Sequence, residues 1–268
     1  MLLAEIHGKN LGAARDNEDY LTSTVFGHLR YVPPGPFWDE FLKRAKGLPG
    51  PDQSEASLEQ VLANSACSPS YYSGLEVQFW KSHPRYGEPD VLLVFSGKNR
   101  LPLVILIEAK LWSGKSGIGE HDQLSRYLRI LDDLDAMGLR VDSRAPRFLV
   151  YLTPRDALAE VKASCDVAAN VERARERMFR LQWQDVLAAA ESGNGATPLA
   201  EPTTQTVLRD VARFLRALGL AYFNGFTRCS DLREIGWVSF YRCSLGGFRG
   251  FGRVAELGNI EARKGAWV

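Results

Sequence analysis

The sequence predicts an α/β protein in which a mixed central β-sheet is flanked by helices and followed by a mainly helical C-terminal extension. Three observations carry this. Three apolar runs of strand length, VLLVF, LPLVILI and RFLVYL, lie between residues 91 and 152. Runs without polar alternation belong to strands covered on both faces. Leu21, Val25 and Leu29 repeat at i, i+4 and i+8, the stripe of a helix that buries one side. Finally, 45% hydrophobic and 24% charged residues over 268 positions is the composition of a chain that folds around a large core.

Taken in order, residues 14–29 read as the first helix, stopped by the three prolines between positions 31 and 36. A second helix is expected over 37–45. The polar, Gly- and Pro-containing GLPGPDQSEAS then reads as a mobile loop. LEVQFW from residue 75 alternates like a strand, and GEPDVLLVF, LPLVILIEAK and RFLVYL supply three more. A helix over 121–137 falls between the last two, helical segments occupy about 156–187, and ESGNGATP reads as a linker. A helix over 203–218 and a Gly- and aromatic-rich tail follow. The expected organisation is a core over 1–190 and an extension over 200–268, packed on the core or separate from it.

Charge excludes one class of function. Thirty-three basic and 32 acidic residues give a net charge of +1, so the chain does not hold nucleic acid by bulk charge. The longest apolar runs fall far short of the ~20 residues of a membrane span, and Glu5 and Lys9 interrupt any signal-peptide core, so a cytoplasmic protein without a membrane partner is expected. Cys67, Cys165, Cys229 and Cys243 lack the spacing of a zinc or iron–sulfur site and read as free thiols.

The chemistry gathers at one hairpin. Gly97-Lys98-Asn99-Arg100 is turn material between two strands, and a turn centred near Asn99 sets residue 90 opposite residue 108. Those residues are Asp90 and Glu108, and Lys110, two further on, shares the face of Glu108. Two facing carboxylates at the end of a buried strand repel unless a cation or a proton compensates. Mg²⁺ takes one or two carboxylates plus waters and leaves positions for phosphate oxygens, while Lys110 can orient or deprotonate an attacking water. Metal-assisted phosphodiester hydrolysis is the expected reaction.

On these residues the chain resembles the PD-(D/E)xK, or restriction endonuclease-like, nuclease superfamily. Pro89-Asp90 resembles its PD element and Glu108-Ala109-Lys110 its (D/E)xK element. Gln123-Leu124-Ser125-Arg126-Tyr127 is similar to the QxxxY helix of the RecB-like and lambda-exonuclease-like branches. The resemblance covers about residues 14–153 and lacks the cysteine quartet of the branches that carry an iron–sulfur cluster. It implies a restriction endonuclease-like sheet, action on DNA rather than RNA, Mg²⁺ with Mn²⁺ able to substitute, and a setting in prokaryotic defence or repair. It further implies that Asp90, Glu108 and the Ala109 carbonyl hold the metal, that Lys110 activates water, and that Gln123 positions water or phosphate. Glu18 would be a second-metal or second-shell carboxylate, and Lys115 and Tyr127 would contact the nucleic acid. A homodimer or a partner subunit remains open.

Two other function classes fit parts of the pattern. One is a nuclease-fold DNA-binding or assembly module without turnover. The other is an ATPase, because residues 109–116, AKLWSGKS, form a relaxed phosphate-loop pattern with Lys115 in the phosphate position, although Gly117 and Gly119 break the helix that should follow. The tail YRCSLGGFRGFGR combines Arg242, Arg249 and Arg253 with Tyr241, Phe248 and Phe251, which suits either a pair of packed strands or a base-stacking surface.

Overall fold

The computed structural model describes residues 17–50, 52–65, 67–195, 201–222, 238–242 and 248–253. Helix α1, Glu18–Leu29, starts where the Asn17 side chain accepts the Tyr20 amide at 2.9 Å. Helix α2, Pro36–Arg44, uses its first-turn proline as a start. The segment expected as a mobile loop instead forms two short strands, β1 Lys46–Pro49 and β2 Glu55–Ser57. Helix α3, Leu58–Asn64, follows behind a reciprocal Ser57–Gln60 capping box.

Strands β3 (Gly74–Phe79), β4 (Val91–Ser96) and β5 (Leu103–Ala109) come next, then helix α4, Gln123–Asp132, and strand β6, Arg147–Thr153. Two helices, α5 Leu158–Asp166 and α6 Val171–Arg177, lead into strand β7, Met178–Gln182, in a stretch expected to be helical throughout. Helix α7 spans Trp183–Gly195 and α8 spans Pro202–Ala217.

Seven strands form one mixed sheet in the order β2-β1-β7-β6-β5-β4-β3. The centre, β5-β6-β7, is parallel, and antiparallel strands flank it on both sides. One face carries Val91, Ile105, Val150 and Phe179 against α1, α2, α3, α7 and α8. The other carries Leu92, Leu106, Leu149 and Met178 against α4, α5 and α6. Covering on both faces is why the central strands read as uninterrupted apolar runs. Strand β7 has its own reason to exist: Arg180, only 6% exposed, ties Asp156 and Glu55 to the β1 carbonyl of Gly47.

The first compact unit runs to Ala221 and includes α8, which packs Leu208, Val211, Phe214 and Leu215 into the core. The second unit spans Tyr222–Val268 and contains an antiparallel pair, β8 Val238–Arg242 with β9 Phe248–Arg253. Of the four cysteines, Cys67 and Cys165 are free, and Cys229 and Cys243 lie outside the described residues. No helix among the described residues is long and apolar enough to cross a membrane.

Candidate active site

The β4–β5 register runs Val91↔Ile107, Leu92↔Leu106, Leu93↔Ile105, so the pairing continues outward to Asp90 and Glu108. The hairpin turn holds Asn99 at φ 60°, a left-handed conformation that asparagine tolerates. Asp90 is 8% exposed and Glu108 1%, at the end of the sheet where both helical layers meet. Asp90 Oδ2 accepts the Ala109 amide at 2.8 Å, so the backbone edge of Ala109 faces the carboxylate pair. Glu108 Oε1 accepts from Gln123 Nε2 at 2.6 Å and pairs with Lys110 Nζ at 2.6 Å. Glu108 Oε2 is buried and has no hydrogen-bond partner among the described residues.

Helix α1 completes the cluster from the other layer. Glu18 Oε1 pairs with Lys110 Nζ at 3.0 Å, and Glu18 Oε2 accepts the Leu111 amide at 2.8 Å and the Ser113 hydroxyl at 3.2 Å. Lys110 is thus clamped between two glutamates. Its carbonyl accepts the Trp183 indole N–H at 2.9 Å, a support that no local pattern reports because Trp183 lies 73 residues away.

Burial governs the electrostatics. It raises the Asp90 carboxyl above its ordinary range. It pushes Glu108 up to about 8, with the neighbouring charge of Asp90 acting in the same direction. Burial alone would lower Lys110, but the Glu108 and Glu18 carboxylates outweigh it and hold the ammonium above the usual lysine range. The pair Asp90–Glu108 therefore retains a proton near neutrality while Lys110 stays charged.

Gln123 is a bridge. Its Nε2 reaches Glu108 and the Tyr127 hydroxyl at 3.2 Å, and its Oε1 accepts the Ser116 amide at 3.0 Å. Tyr127 is 4% exposed, and its hydroxyl donates to the Glu88 carbonyl at 2.8 Å, one residue before Pro89. That hydroxyl, pushed up to about 12 by burial, holds the strand that carries Asp90. Lys115 is placed differently from expectation. Its ammonium pairs with Asp122, the buried N-cap of α4, and its amide donates to Glu160 Oε2 at 3.1 Å. No helix starts at Lys115; α4 begins only at Gln123. The helix expected from residue 121 starts at Gln123 instead, with Asp122 as its N-cap; the aspartate before the amphipathic run is the local signal for that cap, but its pairing with Lys115 has none.

Among the described residues no three His, Cys, Asp or Glu side chains converge as a metal-holding group. The fit to a divalent ion rests on two carboxylates and one backbone edge, with a buried Glu108 oxygen left unpartnered between them. Mg²⁺ accepts that few protein ligands because it keeps several waters. The site thus brings together Asp90, Glu108, Ala109, Lys110, Gln123 and Glu18, while Lys115 and Tyr127 serve as internal struts. No protein-family model, curated protein or solved structure matches the chain.

Proposed function

We propose that this protein is a Mg²⁺-dependent nuclease of restriction endonuclease-like fold, acting on DNA and located in the cytoplasm. The observation that carries the reading is the Asp90–Glu108 pair, buried side by side with one unpartnered oxygen and an ammonium 2.6 Å away. Buried like charges are costly, and a fold keeps them where a bound cation or a proton offsets them. A Mg²⁺ ion at such a pair supplies charge neutralisation on a phosphodiester and a lower pKa for an attacking water. Asp90, Glu108 and the Ala109 carbonyl would hold it. Lys110, held as an ammonium, orients the attacking water and offsets charge on the phosphate, Gln123 fixes the Glu108 carboxylate, and Glu18 fixes Lys110. Glu18 bonds to the lysine, the Leu111 amide and the Ser113 hydroxyl, which supports its holding Lys110 in place over direct ligation of the metal.

The test is cleavage of plasmid, linear duplex and unpaired DNA with Mg²⁺, Mn²⁺ or EDTA. Cleavage is expected with either metal and absent in EDTA, and Lys110→Ala should slow it by roughly 10²–10³-fold, the range of a lost charged donor at the reacting group. If no metal-dependent cleavage of any of the three is seen, the nuclease assignment fails and the inactive nuclease-fold binding module takes its place.

A further inference from the structure

Two exposed tryptophans lie close to the carboxylate pair along the chain, one bonded to Asp90 and one just after Lys110. Trp80 directly follows β3, its amide donates to the Asp90 carbonyl at 3.2 Å, and it is 38% exposed. Its φ of 47° is a region bulky side chains rarely enter, so the surrounding structure imposes this placement. Trp112 follows Lys110 by two residues, which keeps their Cα atoms within about 7 Å. It is 61% exposed, although Leu111 just before it is buried in the core.

The segment leading from Trp80 to Asp90 is rigid. The buried His83 accepts the Arg85 and Tyr86 amides on Nδ1 at 3.1 and 3.3 Å, which leaves the proton on Nε2, 3.3 Å from Asp133 Oδ2. Its ring stacks on Tyr86 at 4.7 Å, and His83 and Gly87 close a backbone bridge. This frame carries Lys81 and the exposed Arg85, neither of which forms an ion pair with another described residue. An aromatic plane with free cations beside it is the arrangement that holds an unpaired strand: bases stack on the rings and phosphates meet the charges. A closed duplex keeps its base faces covered and offers these rings nothing to stack on.

We propose that Trp80 and Trp112 are stacking residues for unpaired nucleobases beside the Asp90–Glu108 pair, so that the site takes single-stranded or locally unpaired nucleic acid. Lys81 and Arg85 hold the phosphates of that strand. This rests on the nuclease reading and names its substrate class.

The experiment measures binding of the full chain to a fluorescein-labelled, mixed-sequence oligodeoxynucleotide of about 20 nucleotides and to the matching duplex, in EDTA and again with Ca²⁺. Anisotropy gives affinity and intrinsic fluorescence reports stacking. The unpaired strand should bind about tenfold or more tightly than the duplex and quench tryptophan emission. Trp80→Gly, which suits the positive φ, and Trp112→Ala should each weaken binding about tenfold and reduce the quench, while Trp80→Phe and Trp112→Phe retain most of the affinity. Circular dichroism checks folding; if Trp80→Gly does not fold, the Trp112 and phenylalanine variants decide. Equal affinity for duplex, or binding and quenching indifferent to both tryptophans, overturns the proposal even if the protein cuts DNA with Mg²⁺. Tryptophan-dependent binding with no Mg²⁺-dependent cleavage supports the stacking surface and overturns the nuclease reading instead.

Discussion

Glu108 is buried beside the Asp90 carboxylate, and these two effects outweigh the Lys110 ammonium on its Oε1, so this side chain binds its proton far more tightly folded than unfolded. Its pKa rises from 4.5 to about 8. A group raised on folding contributes its full stability below the unfolded value and loses it as pH climbs through the folded one. In EDTA, stability should therefore fall between pH 4.5 and about 8. Glu108→Gln should remove this slope and be the more stable protein at the upper end, by an amount on the order of a few kcal/mol. Urea unfolding at pH 5 and pH 8 measures the difference, and an unchanged gap between the two proteins at both pH values would refute the account of Glu108. Lys115 makes a contrasting case. Lys115→Ala strands the buried Asp122 carboxylate and should cost about 3–5 kcal/mol of stability, whereas a lysine serving only phosphate would cost almost none.

At the scale of elements, what was legible followed from local pattern. The β4–β5 hairpin was readable because its turn residues and its two apolar runs agree, and one register places Asp90 beside Glu108. Helix α4 was readable from its apolar period, and Gln123 and Tyr127 fall on the buried face as that period requires. Strand β7 was not. Arg180 looks like a surface charge beside ERARER, and only partners 24 to 134 residues away in sequence, Asp156, Glu55 and Lys46, make it a strand residue. The strands β1 and β2 were hidden for the same reason, since their Gly- and Pro-containing stretch pairs only because β7 offers an edge. Arg180→Ala should accordingly leave Glu55 and Asp156 without their common partner and loosen β1 and β2 first. Hydrogen exchange of residues 46–57 should speed up while β5 stays protected; uniform loss of protection would contradict a local role.

For the molecule as a whole, two cores lie on the two faces of one sheet, and the site sits where the helices of both layers reach the same sheet end, Glu18 from one and Gln123 from the other. That convergence could be suspected from residue order, but the clamp of Glu18 on Lys110 spans 92 residues and no sequence period reports it. Helix α8 follows a Gly-rich stretch and packs its apolar face into the first core, which its sequence pattern alone left open. Phe214→Ala should therefore destabilise the whole unit by about 3–5 kcal/mol in a single transition. The account stands most directly on what binds between Asp90 and Glu108. Anomalous diffraction from crystals soaked in Mn²⁺ should place one ion against both carboxylates and the Ala109 carbonyl, at about 2.0–2.3 Å. Carboxylates still bonded only to Lys110, Gln123 and the Ala109 amide at saturating Mn²⁺, with no ion between them, would contradict it.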